Sequence, residues 1–257
     1  MIELALLLIL GFVAGIAAGL LGIGGGIIMV PGLIFISNLT NPETVLGVHA
    51  AVGTSLATIM FTGIASARGH HLKGGIDYEI FYKLASGLIL GALIGAAIAI
   101  SMNARMLTYV VVIFLLFAGS RLFFQKYNFK LSMEKSFAQL GMHGSWIGVL
   151  SSMLGIGGGT FIVPLLNAKG VEIRQSIGTS SMCGIPIAIF GCIGFIYFGK
   201  DGISGEYINW ESAFVMALSS IIGARYGVRL VYKIDQEYLK KIFGIFICIA
   251  AALLLIR

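Results

Sequence analysis

The chain has 257 residues, of which 58% are hydrophobic and 11% are charged, with 36 glycines and a mean hydropathy of +0.99. Soluble globular chains carry about 25% charged residues, so this composition excludes a water-soluble domain and indicates an integral membrane protein. The net charge of +6 comes from 17 Lys and Arg residues that lie between apolar runs, not in one basic patch, which argues against nucleic acid as a partner.

Eight apolar segments follow one another along the chain, at residues 4–36, 45–67, 80–100, 106–124, 137–166, 173–198, 210–231 and 239–256. A bilayer core takes about 20 helical residues, so six segments fit a single span, whereas the first and the fifth are too long for one. The segments lack the alternation of apolar and polar residues that a membrane β-barrel shows. We therefore predict an all-α polytopic bundle.

Glycine clusters interrupt the two long segments. The first contains Gly22-Ile23-Gly24-Gly25-Gly26, and the fifth contains Gly155-Ile156-Gly157-Gly158-Gly159. Each glycine costs a helix interior roughly 1 kcal/mol relative to alanine, so each helix is expected to end at its cluster and to restart after it.

These clusters belong to an internal repeat. The glycine cluster and the proline that follows it, Pro31 or Pro164, occur once in each half, and three further matches follow in the same order. Gly53-Thr54-Ser55 corresponds to Gly178-Thr179-Ser180, Asp77-Tyr78 to Asn209-Trp210, and Gly91 with Gly95 to Gly223 with Gly227. The repeat divides the chain into a first half, 1–124, a linker, 125–136, and a second half, 137–257.

The positive charges favour one topology of the two halves. If all eight segments cross the membrane, the 17 Lys and Arg residues divide almost evenly between its faces. If each glycine-broken segment is re-entrant and three spans follow it, fourteen of the 17 share one face. The positive-inside rule then predicts two inverted repeats with a cytoplasmic linker and both termini outside. A glycine-kinked segment that crosses completely is the alternative.

The glycine clusters and two hydroxyl pairs are the candidate substrate site. Glycine clusters expose backbone N–H groups, and the helices that restart there present their N-termini, so both features attract anions. The hydroxyl pairs lie near the bilayer midplane. The alternatives are that the glycines only permit close packing and that the hydroxyls bond to their own helices. The candidate substrate-binding residues are Gly22, Gly24, Gly25, Gly26, Thr54, Ser55, Gly155, Gly157, Gly158, Gly159, Thr179 and Ser180.

The apolar segments offer few residues for a cation pathway, a metal site or a catalytic centre. None of them carries a deep Asp or Glu, which argues against a cation pathway, and none carries a metal motif or a nucleophile paired with a base. We therefore predict no metal, no cofactor and no enzymatic activity. His49 and Arg225 are candidates for gating or coupling, and Cys183, Cys192 and Cys248 are expected to be packed thiols.

The doubled Leu-Gly-Ile-Gly-Gly-Gly motif with its following proline, together with the doubled Gly-Thr-Ser, resembles the TauE/SafE sulfite exporter family over nearly the whole chain. The resemblance implies transport of a small anion, such as sulfite, a sulfonate or sulfoacetate, across the inner (cytoplasmic) membrane by a multi-pass protein. It does not define the anion, the direction, the coupling ion or the oligomeric state, and a homo-oligomer is compatible with it.

From the repeat and the resemblance together we predict a secondary transporter that works by alternating access, with a small anion and the lipid bilayer as its partners. The alternatives are a passive anion channel and, from another class, a non-transporting membrane subunit or an intramembrane enzyme.

Overall fold

The computed structural model describes residues 1–40, 46–124, 137–199 and 207–233, and this part of the chain is helical without strands, as predicted. The predicted linker, 125–136, and the last apolar segment, 239–256, lie outside the described residues. The helices are α1 (Ile2–Leu21), α2 (Gly26–Thr40), α3 (Val48–His71), α4 (Tyr78–Ser101), α5 (Ala104–Phe124), α6 (Phe137–Leu154), α7 (Gly159–Ala168), α8 (Ile173–Phe198) and α9 (Trp210–Val231).

Five of these helices, α1, α3, α4, α8 and α9, are long and apolar enough to cross a membrane. The helices α2 and α7 and the stretch Ala104–Ala118 of α5 are apolar but shorter. Large apolar side chains point outward from the bundle, among them Ile113 at 67% and Trp146 at 68% exposure. An exposed apolar surface of this kind fits a lipid environment, which supports a multi-pass membrane protein.

Both predicted glycine breaks are present. Helix α1 ends at Leu21 and α2 begins at Gly26, while α6 ends at Leu154 and α7 begins at Gly159. After the first break the chain turns back, because Gly25 lies against the backbone of Ala14 in α1. The glycines with a left-handed φ, which other residues rarely adopt, include Gly22, Gly24, Gly25, Gly155 and Gly158.

The first helix of each half packs against a helix of the other half. Helix α1 lies along α9, with Gly15 against the backbone of Ser220, and α6 lies along α4, with Gly91 against the backbone of Ser145. A methyl group added at either glycine would overlap a carbonyl oxygen of the neighbouring helix. Close backbone contact of this kind is the usual way in which membrane helices associate.

Helices α3 and α8 pack against each other at the centre in antiparallel directions. Early in α3, Leu56 lies beside Gly191, and near its end His70 lies beside Gly178. Helix α3 instead runs parallel to α9, because Thr58 lies 3.5 Å from the carbonyl oxygen of Ala213 near the start of α9, and Gly69 lies against Val228 near its end.

Matching residues cap α4 and α9. The Asp77 carboxylate accepts a hydrogen bond from the backbone N–H of Ile80 at 3.0 Å, and the Asn209 side chain accepts one from Ser212 at 2.9 Å. Each side chain satisfies one of the free N–H groups at the start of its helix, which fixes where that helix begins.

The contact between α4 and α6 offers a matched pair of tests. A methyl group at Gly87 would overlap the carbonyl oxygen of Gly141, whereas one at Gly141 would have only the Lys83 carbonyl oxygen nearby, at 3.8 Å. We expect Gly87→Ala to lower the free energy of unfolding by about 1–3 kcal/mol through overpacking. Gly141→Ala is expected to raise it by about 0.5–1 kcal/mol, because alanine favours the helix. Denaturation in detergent measures both, and equal effects would contradict this packing.

Candidate functional site

The two glycine breaks lie against each other at the centre of the described bundle. A methyl group at Gly26 would overlap the carbonyl oxygen of Gly155, and one at Gly159 would overlap that of Gly22. A methyl group at Gly24 would come within 2.8 Å of the Cα atom of Gly157. Backbone therefore meets backbone across the two halves, and no larger residue fits at these positions.

Serine side chains from each half hold the break of the other half. The Ser55 hydroxyl donates a hydrogen bond to the carbonyl oxygen of Gly155 at 2.8 Å, and the Ser180 hydroxyl donates one to Gly22 at 3.0 Å. Both serines are fully buried. The broken helix ends leave carbonyl groups without helical partners, and these two bonds satisfy one in each break.

The two threonines make a second reciprocal pair of contacts. The Thr54 hydroxyl oxygen accepts a hydrogen bond from the backbone N–H of Asn209 at 2.8 Å, and Thr179 accepts one from Asp77 at the same distance. The donors are the residues that cap α9 and α4. Each Gly-Thr-Ser motif therefore fixes both the break and one helix start of the opposite half.

A narrow cleft lies between the two breaks, α3 and α8. It is too narrow to admit a water molecule. The hydroxyl of Ser66 donates a hydrogen bond to that of Ser181 across it at 3.0 Å. The cleft is therefore closed in this conformation. Its lining consists of Ala18, Gly22, Gly24, Ile59, Gly63, Ser66, Gly157, Ser181 and Gly184.

Three buried hydroxyls beside the second break have no hydrogen-bond partner within the described residues, those of Ser151, Ser152 and Thr160. An unpaired buried hydroxyl costs about 1–3 kcal/mol, so these groups are candidates to bind a polar ligand. The repeat could not reveal them, because the matching positions of the first half are apolar residues or glycine.

Some of the predicted substrate-binding residues line the cleft, and the others do not. Gly22, Gly24 and Gly157 line the cleft. Ser66, Ser181, Gly63 and Gly184 also line it and were missed from the sequence, where single Ser and Gly residues in apolar helices carry no distinctive signal. The predicted residues that pack around the breaks without lining the cleft are Gly25, Gly26, Thr54, Ser55, Gly155, Gly158, Gly159, Thr179 and Ser180.

His49 and Arg225 lie away from the cleft, in different surroundings. The Nε2–H group of His49 donates to the carbonyl oxygens of Ala99 at 3.0 Å and Met102 at 3.1 Å, so this ring caps the end of α4. Arg225 is exposed and lines a separate cavity between α3 and α9. Neither residue contacts a predicted substrate-binding residue in the hydrogen bonds that the structure describes.

Tyr232, which caps α9, marks an end of the bundle that carries many cations. The guanidinium carbon of Arg174 lies 5.2 Å from its ring centre, and the ammonium of Lys73 lies 6.0 Å from it. Burial raises the pKa of the Tyr232 hydroxyl, and the nearby Arg174 partly offsets that effect. These contacts gather residues from the end of α3, the start of α8 and the end of α9 at one face.

The described residues hold no group of three or more His, Cys, Asp or Glu side chains that could bind a metal ion. Cys183 and Cys192 are buried free thiols, and Cys248 lies outside the described residues.

The family model of the sulfite exporter TauE/SafE matches residues 7–254. The chain belongs to the TauE/SafE sulfite exporter family. A probable membrane transporter protein of Haemophilus influenzae is 33% identical over 254 residues, which cover 96% of both chains. The probable membrane transporter protein YdhB of Bacillus subtilis is 26% identical and covers 97% of this chain and 99% of its own. No solved structure matches this TauE/SafE chain.

The threonine contacts lead to a stability prediction. Thr54→Val keeps the side-chain shape but leaves the buried N–H of Asn209 unpaired, so we expect it to lower the free energy of unfolding by about 1–3 kcal/mol. Thr179→Val should do the same through Asp77, and Thr→Ser at either position should retain most of the stability. Thr108→Val is the control, because that hydroxyl bonds only within its own helix, to Ala104. Denaturation in detergent without added anions tests this, and unchanged valine variants would contradict it.

Proposed function

We propose that this TauE/SafE protein is a secondary transporter that moves a small oxyanion across the cytoplasmic membrane by alternating access. Its family and its relatives, which are named as membrane transporters, support transport rather than enzymatic chemistry. Sulfite is the proposed substrate because the family is named a sulfite exporter, and we extend the proposal to sulfonates and similar oxidised sulfur compounds, which are oxyanions of the same kind.

The observation that carries the proposal is the closed cleft where the two glycine breaks meet. Helices α2 and α7 begin directly after the breaks, so two helix N-termini, each with a partial positive charge, lie at the centre of the bundle. Broken helices with inward-facing N-termini bind the anionic groups of substrates in other transporter folds. A cleft that excludes water favours a carrier with an occluded state over an open channel.

The polarity of the interior also favours an anion. The buried polar side chains in the described residues are serines and threonines, together with His70, and none is a carboxylate. Hydroxyl and backbone N–H groups can donate hydrogen bonds to an oxyanion without the cost of burying a charge. A cation pathway normally needs acidic side chains in the membrane.

We propose further that the two halves are inverted repeats, each opening with a re-entrant helix pair. The corresponding helices α3 and α8 run in opposite directions, and the Gly-Thr-Ser motifs exchange matching contacts, as expected for a two-fold relation in the membrane plane. Opening the cleft first toward one face and then toward the other requires this kind of equivalence. The turn of the chain after the first break supports the re-entrant arrangement.

Within this proposal the predicted site residues have two roles. Gly22, Gly24 and Gly157 line the pathway together with the residues of the cleft. The other predicted glycines and the two Thr-Ser pairs hold the breaks in place and donate to the anion when the cleft opens. His49 binds the end of α4, and Arg225 lies at the cation-rich end of the bundle, outside the cleft, so we assign neither residue to the anion pathway itself.

Flux of radiolabelled sulfite or a sulfonate into proteoliposomes, with and without an imposed pH gradient, tests this function. We expect flux that saturates with anion concentration and responds to the gradient. Flux that does not saturate would identify a channel instead, and no flux of any tested anion would favour a non-transporting membrane protein.

Gly63→Ala tests whether the cleft is the pathway. Its methyl group would enter the cleft wall with Ile185 Cγ1, part of a flexible side chain, as its nearest neighbour at 3.3 Å, so the protein should still fold. We expect sulfite flux to fall by at least roughly tenfold, the factor that about 1.4 kcal/mol produces. Gly141→Ala, which adds its methyl group away from the cleft, should transport normally. Full activity of Gly63→Ala would remove the cleft from the pathway.

The inverted topology predicts which loops face the cytoplasm. In a variant without the three natural cysteines, a cysteine at Asn103, between α4 and α5, should react with an impermeant reagent from outside intact cells. Cysteines at Lys73 and Glu172, two exposed positions at the cation-rich end, should react only after the cells are opened. Labelling of Glu172→Cys from outside would contradict the inverted arrangement.

A further inference from the structure

A cavity of about 340 Å³ opens between the last turns of α3 and α9, apart from the central cleft. Its wall consists of Ala65, Arg68, Gly69, Leu72, Lys73, Arg225, Val228 and Arg229. Four of these eight residues are basic, and none of the eight is acidic.

Within the described part of the chain, none of the four basic side chains pairs with a carboxylate. The ion pair found there joins Lys83 to Glu79, outside the cavity. Arg229 and Lys73 instead contact aromatic rings, those of Tyr226 and Tyr232. Like charges around one cavity repel each other, so an anion placed among them would be favoured. Arginine in particular presents several N–H donors that match phosphate-type oxyanions.

The repeat shows that the fold does not need these charges. The pairing of Gly53 with Gly178 aligns Arg68 and Lys73 with Ile193 and Phe198. The pairing of Gly91 with Gly223 aligns Arg225 and Arg229 with Leu93 and Ala97, so all four matching positions are apolar. The equivalent helices α8 and α4 thus pack without a cation at these four positions. The basic cavity is therefore a feature added at one end, not a requirement of helix packing.

Exposed apolar stripes lead to the cavity along both helices. Phe61 and Ile64 precede Arg68 on one face of α3, and Leu218 and Ile222 precede Arg225 and Arg229 on α9. Each of the four apolar side chains is between 47% and 52% exposed. Because α3 and α9 run parallel, as the contacts of Thr58 with Ala213 and of Gly69 with Val228 show, the two stripes approach the cavity side by side.

We propose that this cavity binds the phosphate headgroup of an anionic phospholipid whose acyl chains lie along the two stripes. A free oxyanion would bind the same cations, but it would make no contact with the apolar stripes that lead to the cavity. Basic pockets between membrane helices, bordered by lipid-facing side chains, are suited to anionic headgroups. This site is separate from the proposed transport pathway.

Native mass spectrometry of the detergent-purified full chain tests the proposal. The probes are dioleoylphosphatidylglycerol and the zwitterionic dioleoylphosphatidylcholine. We expect the wild type to retain the anionic lipid with an affinity roughly tenfold above that for the zwitterionic one. R225Q/R229Q, and separately R68Q on the facing helix, should bring this ratio close to one. Arg105→Gln, which removes an exposed arginine outside the cavity, should leave the ratio unchanged.

Three results would overturn the proposal. The first is a wild type without preference for the anionic lipid, or a preference that survives both R68Q and R225Q/R229Q. The second is displacement of the lipid by sodium sulfate far beyond that by sodium chloride of equal ionic strength, which would reassign the cavity to a free oxyanion. The third is a lipid-free dimer that the same substitutions abolish. Unchanged melting temperatures of the variants exclude misfolding as the cause of a lost preference.

Discussion

The contact between the two glycine breaks is the constraint on which the rest of this structure depends. Gly26 lies against the carbonyl oxygen of Gly155, and Gly159 lies against that of Gly22, so each half places backbone where the other half has no side chain. Interrupted helices leave carbonyl and N–H groups unpaired, and each unpaired group inside a membrane costs several kcal/mol. Ser55 and Ser180 each satisfy one such carbonyl from across the interface. The breaks are therefore tolerated only together.

A consequence is that neither half forms a complete bundle alone. Helix α1 of the first half packs along α9, and α6 of the second half packs along α4, while Thr54 and Thr179 each fix a helix start in the opposite half. These contacts tie the halves together at the edges of the breaks. Between them lies the closed cleft, which the Ser66 hydroxyl bridges by a hydrogen bond to Ser181. Few contacts hold the cleft shut, while many hold the surrounding helices together. A transport pathway needs this combination if it is to open without the bundle coming apart.

The sequence predicts the elements better than it predicts the site. Long apolar segments and clustered glycines are local signals, and the breaks lie where they indicate, at Gly22–Gly25 and Gly155–Gly158. Thr54 and Ser55 were also found through the repeat, but their partners Asn209 and Gly155 lie about 100 residues or more away, and only the fold brings them together. Ser66, Ser181, Ser151 and Ser152 have no matching hydroxyl in the other half. Residues that occur in both halves are those that both halves need for folding, so the repeat does not indicate residues that only one half uses.

That distinction explains where the chemistry of this protein is concentrated. The doubled residues, glycines and Thr-Ser pairs, maintain the shared architecture. The departures from the repeat are the unpaired hydroxyls of Ser151 and Ser152, the bridge between Ser66 and Ser181, and the cations of the cavity between α3 and α9. A bundle that only needed to fold could keep both halves apolar at these positions, as one half does. We therefore propose that the polar residues that the repeat does not require, rather than the doubled ones, determine which anion this chain prefers.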